Sequence, residues 1–308
     1  MIYTSSSLST LARCPREHRY RYGMLLASPS GTAADFGTLV HRLLEHLYRT
    51  GDLDLGGVMD VKARALVIAY DAHWPKCETL EVEREFSYDL EGHTIAGKLD
   101  AVIRDENGRV WIVEHKTTSR DVEIGSAYWQ RLTLDLQCSI YMDGARSLGY
   151  DPAGVIYDVL RVPRHSQLSA SDPIKMTKGK RAADGSWLEE PKPYAGQRLR
   201  AETVEEFEDR LLDVIAKDVG DYLLRSQVVR LEHELVPMRR DIVDWISIAR
   251  VRDALGLYPR NPSACMRGAM MCPYFSACTG DAETLALWPR KERAHVELAH
   301  EASTDGTR

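Results

Sequence analysis

Apolar residues recur at helical spacing near the start of the chain. From Ser5 to Gly23 the pattern predicts one helix, with Ser6 or Ser7 as its cap and Leu8 and Leu11 opening an apolar stripe. Ser28-Pro-Ser-Gly-Thr interrupts it as a loop. Phe36, Val40, Leu43, Leu44 and Leu47 then follow i, i+4, i+7, i+8, i+11 spacing, which predicts a second helix from about Ala33 to Tyr48. His41 lies at the border of its apolar face. A third helix is expected over about Gly57 to Trp74. The period then changes to two. Leu80, Val82, Phe86, Tyr88 and Leu90 alternate with polar residues as a strand does. A turn at Glu91-Gly92 leads into a second strand, His93 to Arg104. Asp105-Glu-Asn-Gly108 reads as a hairpin turn into a third strand, Arg109 to Lys116. A helix over about Ala127 to Leu148 and a fourth strand, Val155 to Val162, follow.

Residues 164–198 are rich in Ser, Lys, Gly and Pro and read as a long mobile insertion with at most a hairpin. An amphipathic helix is expected from Ala201 to Leu224, acidic in its first turns as the helix dipole favours. Another is expected from Arg239 to Gly256. The end of the chain, from Pro289, is polar and reads as frayed. Helices around a few strands predict an α/β fold.

Composition narrows the class. The chain has 308 residues, 44% hydrophobic and 28% charged, as globular proteins have and disordered or collagen-like chains do not. Its net charge of −6, from 40 basic and 46 acidic residues, gives no hint of a nucleic-acid partner, so any such contact must be local. No apolar run approaches the roughly 20 residues of a membrane span. The opening residues lack a secretory pattern, so a cytoplasmic location is expected. The six cysteines are too few for a disulfide scaffold. Three cluster as C-x6-C-x5-C at Cys265, Cys272 and Cys278. Cys14 lies far upstream, and Cys77 and Cys138 look solitary.

The candidate chemistry lies at the third strand. Glu114 and Lys116 are two residues apart, so their side chains emerge on one face. Asp100 lies on the strand paired with it. Two carboxylates that converge repel unless a cation or proton intervenes, and Mg²⁺ or Mn²⁺ suits oxygen ligands. The alternative is a surface salt-bridge patch. Helices on either side of the strands add an imidazole, His41, and an amide and phenol one turn apart, Gln137 and Tyr141.

Gly37-xxx-His41, Gly97-x-x-Asp100, Glu114-x-Lys116 and Gln137-xxx-Tyr141, in this order, resemble the motifs of the RecB-like branch of the PD-(D/E)XK nucleases. The opening, Ser7-Leu-Ser-Thr-Leu-Ala-Arg-Cys14-Pro-Arg-Glu-His-Arg-Tyr-Arg-Tyr, is similar to that of the branch's iron–sulfur members. Those include CRISPR-associated RecB-like exonucleases and the AddB nuclease domain. The resemblance runs from about Ser5 to Cys278. It implies a restriction-endonuclease-like core with a small mixed sheet flanked by helices, and helical N- and C-terminal parts joined by a metal cluster. One nuclease domain would span residues 1–288. Its core would cover about 33–162, the insertion about 164–198 and the helical, cysteine-bearing part about 201–280, with a polar tail at 289–308.

The resemblance also implies roles. His41, Asp100, Glu114 and the main-chain carbonyl of His115 would hold the divalent metal. Lys116 would orient the attacking water or stabilise charge on the phosphate, and Gln137 and Tyr141 would position the strand or the lysine. Leu99 stands where many members have Pro, a position that supplies no ligand. Cys14, Cys265, Cys272 and Cys278 would hold a 4Fe–4S cluster, with Zn²⁺ as the alternative. The trio departs from the commoner C-x2-C-x5-C spacing. A cluster there would close a loop of about 250 residues and offset much chain entropy. Arg16, Arg19 and Arg21 with Tyr20 and Tyr22 could hold phosphate and stack bases, or form a solvated helix face. The Lys175–Arg181 run is a further DNA contact, or a solvated loop.

The expected activity is that of a metal-dependent exonuclease on DNA that is single-stranded or has free ends. Repair, phage recombination and CRISPR adaptation all fit. No phosphate-binding G-x-x-x-x-G-K-[ST] loop occurs, so a helicase or an integrase-type protein is a candidate partner. The competing readings are a DNA-end-binding or adaptor subunit with little catalysis of its own, and a zinc-stapled DNA-binding protein.

Overall fold

The computed structural model describes residues 1–28, 32–267 and 270–298. Residues 29–31 of the expected first loop, and residues 299–308 of the expected tail, lie outside the described residues. The chain opens with a short strand, β1 (Ile2–Tyr3), and a helix, α1 (Ser5–Arg13). Thr4 caps this helix, rather than Ser6 or Ser7. Its hydroxyl accepts from the Ser7 amide at 3.3 Å, while the Ser7 hydroxyl accepts from the Thr4 amide at 2.8 Å. The single helix expected as far as Gly23 breaks at Cys14, whose backbone is extended. Pro15 follows it, and a residue before proline is pushed out of the helical region. The chain resumes as α2 (Pro15–His18) and a π turn over Arg19–Gly23. Next come α3 (Thr32–Thr50) and α4 (Val61–His73). The second of these starts later than expected because Asp60 caps it, accepting from the Ala63 amide at 3.0 Å.

Next are β2 (Glu78–Leu90), β3 (His93–Arg104) and β4 (Val110–Thr118). β2 takes one edge of β3 along its whole length, antiparallel. The other edge is shared. β1 pairs with its start, parallel, at Thr94 and Ile95, and β4 pairs with its end, antiparallel, over Ala101–Arg104. The expected helix from Ala127 to Leu148 is interrupted. It runs as α5 (Ala127–Gln130), a 3₁₀ turn (Arg131–Leu134) and α6 (Leu136–Ser147), which Asp135 caps. β5 (Pro152–Arg161) returns parallel to β4.

The insertion carries a small hairpin, β6 (Lys180–Arg181) and β7 (Trp187–Glu189), as the sequence allowed. After it come α7 (Val204–Lys217) and α8 (Val219–Tyr222). The helix expected as far as Leu224 stops short because Leu223 opens a strand, β8 (Leu223–Val228), antiparallel to β5. β8 completes a six-stranded mixed sheet. α9 (Glu232–Leu255) begins before Pro237, earlier than the expected Arg239. The chain ends in a tiny hairpin, β9 (Met266–Arg267) with β10 (Met270–Met271), then α10 (Phe275–Thr279) and α11 (Ala282–Ala286).

Helices cover both faces of the sheet. Leu99, Val102, Ile112 and Val155 pack with α6 and α9 residues such as Ile140, Met142, Ile242 and Ile246. A second cluster joins α3, α4 and α7 through Val40, Leu44, Leu66, Leu211 and Ile215. Burial on both faces explains the unbroken apolar run Val110–Val113 in β4. The expected fraying from Pro289 does not occur as far as residue 298. The Ala27 amide donates to Pro289 O at 2.7 Å, His295 Nε2 lies 3.1 Å from Ile2 O, and Leu298 is buried. No helix among the described residues is long and apolar enough to cross a membrane.

Candidate functional site

The sheet opens at one point. β3 and β4 stay paired only from Arg104 opposite Val110 to Ala101 opposite Val113. Asp100 and Glu114 are the next residues, so both carboxylates stand where the strands part. A side chain continues the ladder where the β3 backbone does not: Asp100 Oδ2 accepts from the His115 main-chain amide at 2.9 Å. His41 of α3 brings Nδ1 to 3.5 Å from the same oxygen. Glycine makes that approach possible. A Cβ on Gly37, one turn before His41, would lie 3.1 Å from Thr117 Oγ1 of β4.

Glu114 is almost fully buried. Its Oε1 accepts from the Lys116 ammonium and from Gln137 Nε2, the latter at 2.9 Å. Gln137 Nε2 also donates to the Tyr141 hydroxyl at 2.8 Å. The expected pair on α6 therefore faces the glutamate and is joined to it. Glu114 Oε2 has no hydrogen-bond partner. An unpaired carboxylate oxygen in a buried site is costly unless something else meets it.

Charges in this cluster are pushed apart. Burial, then the Asp100 charge, drive the Glu114 carboxyl above the usual carboxylate range, against the pull of Lys116. Burial pushes Asp100 the same way, but hydrogen bonding from His115 and the His41 imidazole outweigh it and hold Asp100 low. Burial lowers Lys116, and the Glu114 carboxylate more than restores it. Burial keeps His41 below its ordinary value, with Asp100 opposing, and the neutral imidazole is the form that can ligate a metal.

These residues fit a hard divalent cation. The donors are carboxylate oxygen and imidazole nitrogen, and one buried carboxylate oxygen lacks a partner. Among the described residues, no three His, Cys, Asp or Glu side chains are already drawn together in a metal-holding group.

Behind the fork lies a polar cluster that sequence reasoning did not single out. Asp158 of β5 is buried, paired with Arg225 of β8 and hydrogen-bonded by Tyr70 of α4. The available signal was an aspartate inside an otherwise apolar strand.

The four motif cysteines, Cys14, Cys265, Cys272 and Cys278, line a single cavity with mostly apolar walls, together with Tyr20 and Tyr274. None forms a disulfide. The unusual six-residue spacing is accommodated by the β9–β10 hairpin. The Cys272 amide donates to Cys265 O at 2.7 Å and closes its base. Cys138 is a core residue whose thiol burial pushes up, and Cys77 sits half-buried near Pro75.

The proposed strand-binding surface is only partly available. Tyr20 and Tyr22 are 4% and 9% exposed. The Tyr20 hydroxyl donates to Ala277 O, and the Tyr22 ring stacks on His295 at 5.3 Å. The protein itself takes up both rings, which corrects the expectation that they stack bases. Arg16 donates to Tyr258 O at 2.7 Å and Arg19 lies over the Tyr258 ring, so both hold the segment after α9. Arg21 lies over Tyr22. In the insertion, Arg181 packs over Trp187 at 3.9 Å.

A family model described as the PD-(D/E)XK nuclease superfamily matches residues 3–79 and 62–279. Among solved structures, SSO0001 is similar at 16% identity, with 71% of this chain and 75% of that one covered and a TM-score of 0.30. A candidate exonuclease from Eubacterium rectale is similar at 12% identity, with 90% and 92% covered and a TM-score of 0.45. No curated protein matches the chain.

Proposed function

The chain belongs to the PD-(D/E)XK nuclease superfamily and is a nuclease, and from that premise we propose that it hydrolyses DNA with a divalent metal, Mg²⁺ or Mn²⁺, at the β3–β4 fork. The observation that carries this reading is the pair of carboxylates at the fork, with Glu114 Oε2 buried and unpartnered. Asp100, Glu114, His41 and the His115 carbonyl would hold the metal. When bound, it would supply a water of lowered pKa and neutralise charge on the phosphate. Lys116, two residues on from Glu114 and on the same face of β4, would orient the attacking water or stabilise charge on the phosphate. Gln137 keeps Glu114 oriented, and Tyr141 braces Gln137.

The preference for single-stranded DNA with a free end, and for exonucleolytic cleavage, rests on the resemblance to the RecB-like branch. So does a 4Fe–4S cluster on Cys14, Cys265, Cys272 and Cys278. All four line one cavity, although among the described residues they are not drawn together into a metal-holding group. A cluster there would tie the two ends of one nuclease domain.

Digestion of end-labelled single- and double-stranded DNA with Mg²⁺ or Mn²⁺ tests the reading. Lys116→Ala and Asp100→Ala are each expected to lose about 10²–10³-fold in rate, the scale on which groups that stabilise developing charge act. Full activity in both variants would show the site to be wrongly placed. Release of label as mononucleotides from single strands is the result expected for an exonuclease, and internal nicking of circles would overturn that part.

A further inference from the structure

Asp100 stands in β3 where the β3–β4 ladder ends, so pairing with β4 no longer fixes the direction of its carboxylate. Its Oδ2 faces His115 twice: the main-chain amide at 2.9 Å and ring Nδ1 at 3.5 Å. The imidazole itself is buried and held from behind. Its Nε2 lies 3.2 Å from the Tyr70 hydroxyl, and the rings of Tyr48 and Tyr70 pack against it at 5.4 and 5.7 Å.

Tyr70 is in turn fixed. Its hydroxyl donates to Asp158 Oδ2 at 2.6 Å and lies 2.7 Å from the Tyr48 hydroxyl. Asp158 sits opposite Arg225 in the β5–β8 ladder and receives Nε and a second guanidinium nitrogen at 2.5 and 2.7 Å. The guanidinium also lies 3.9 Å over the Trp74 ring. Buried ion pairs of this kind do little for stability that apolar side chains would not do as well. What this one does have is direction. It runs from β8 through β5 and α4 to the His115 imidazole, which with His41 faces Asp100.

We propose that His115, Tyr70 and Asp158 are positioning residues for Asp100: the buried relay locks the His115 ring, and the ring holds the carboxylate in its ligating orientation at the fork. The proposal rests on the reading of Asp100 as a metal ligand and adds the residues that aim it. Partners that orient a ligand commonly account for 10–100-fold in metal affinity.

The test uses the full chain without DNA. Mn²⁺ uptake is titrated by the loss of free-ion electron paramagnetic resonance signal in wild type, Tyr70→Phe, Asp158→Asn and Asp100→Asn. Tyr88→Phe, a phenol truncation elsewhere in the core, serves as the control. In parallel, the ring nitrogens and main-chain amide of His115 are followed by NMR in the metal-free proteins. Tyr70→Phe is expected to weaken Mn²⁺ about 10-fold, to move the His115 ring signals, and to recover near-wild-type turnover at saturating Mn²⁺. Tyr88→Phe should do none of these. Asp158→Asn should act in the same direction if it folds; Tyr70→Phe carries the test if it does not. Wild-type affinity in Tyr70→Phe, or equal weakening in Tyr88→Phe, overturns the proposal. If the wild type takes up no Mn²⁺, the metal reading fails. The relay is then decided by the His115 signals: movement in both Tyr70→Phe and Asp100→Asn supports it, and their constancy overturns it.

Discussion

Gly144→Ala sets two physical effects against each other. Gly144 lies inside α6, where alanine is favoured over glycine by about 1 kcal/mol from backbone entropy alone. Propensity therefore predicts a more stable protein. Packing predicts the reverse. A Cβ on Gly144 would lie 2.6 Å from Phe86 Cδ2 and Cε2, where carbon atoms prefer roughly 3.5–4.0 Å. The ring's far end is also close to a neighbouring strand: a Cβ on Gly97 of β3 would lie 2.6 Å from its Cζ. Phe86 is thus sandwiched between two glycines on different elements. Overpacking of a buried site costs about 1–3 kcal/mol, so the net expectation is a loss of up to about 2 kcal/mol after the helix gain is subtracted. Urea unfolding at constant m-value reads it. A double-mutant cycle with Phe86→Leu isolates the cause: the smaller side chain should recover at least about 1 kcal/mol of the Gly144→Ala loss. A stabilised Gly144→Ala, or strict additivity in the cycle, would refute the reasoning. The same substitution pushes α6 away from the sheet and Gln137 away from Glu114, so nuclease activity should fall further than the unfolded fraction accounts for.

Two other outcomes follow from the structure. Burial pushes the His18 imidazole down from 6.5 to about 4, with Asp253 pulling the other way and His295 adding to the burial. The folded chain therefore binds this proton less readily than the unfolded one. Its stability contribution is intact above pH 6.5 and is lost as pH falls from 6.5 to 4, by at most about 3 kcal/mol. His18→Gln should flatten that part of the pH–stability curve, and an unchanged slope between pH 6.5 and 4.5 would remove His18 as its source. Cys14→Ser should lose iron, brown colour and thermal stability together in protein prepared without oxygen; normal iron content would take Cys14 out of the ligand set.

The parts of the fold legible in the sequence were those set by near neighbours. The β3–β4 hairpin follows from Asp105–Gly108, and the Gln137–Tyr141 contact from one helical turn. What was missed depended on distant partners or on one local restraint. β8 is a short run that becomes a strand only by pairing with β5. The break at Cys14 is proline's effect on the residue before it, easily masked by a good apolar stripe. The motif residues His41, Asp100 and Glu114 could be picked out by order, yet not the glycines' purpose. Gly97 and Gly37 mark where side chains of neighbouring elements come closest. Asp158 was passed over because the register that pairs it with Arg225 is not written in either segment alone. Tyr20 and Tyr22 were read as surface residues for want of the returning segment that covers them.

That returning segment bears on the order in which the protein can be built. The Trp288 indole donates to Ala27 O, the Arg290 guanidinium to Met24 O, and His295 meets Ile2 O. As a ribosome releases the chain, the Ala27 carbonyl must wait for a partner 261 residues further along. Sheet and central helices can close earlier from more local pairings. Contacts of such long sequence separation slow folding and prolong exposure of apolar surface. The half-built nuclease would already hold the fork, while the seam between residues 2–27 and residues 288–295 closes after it.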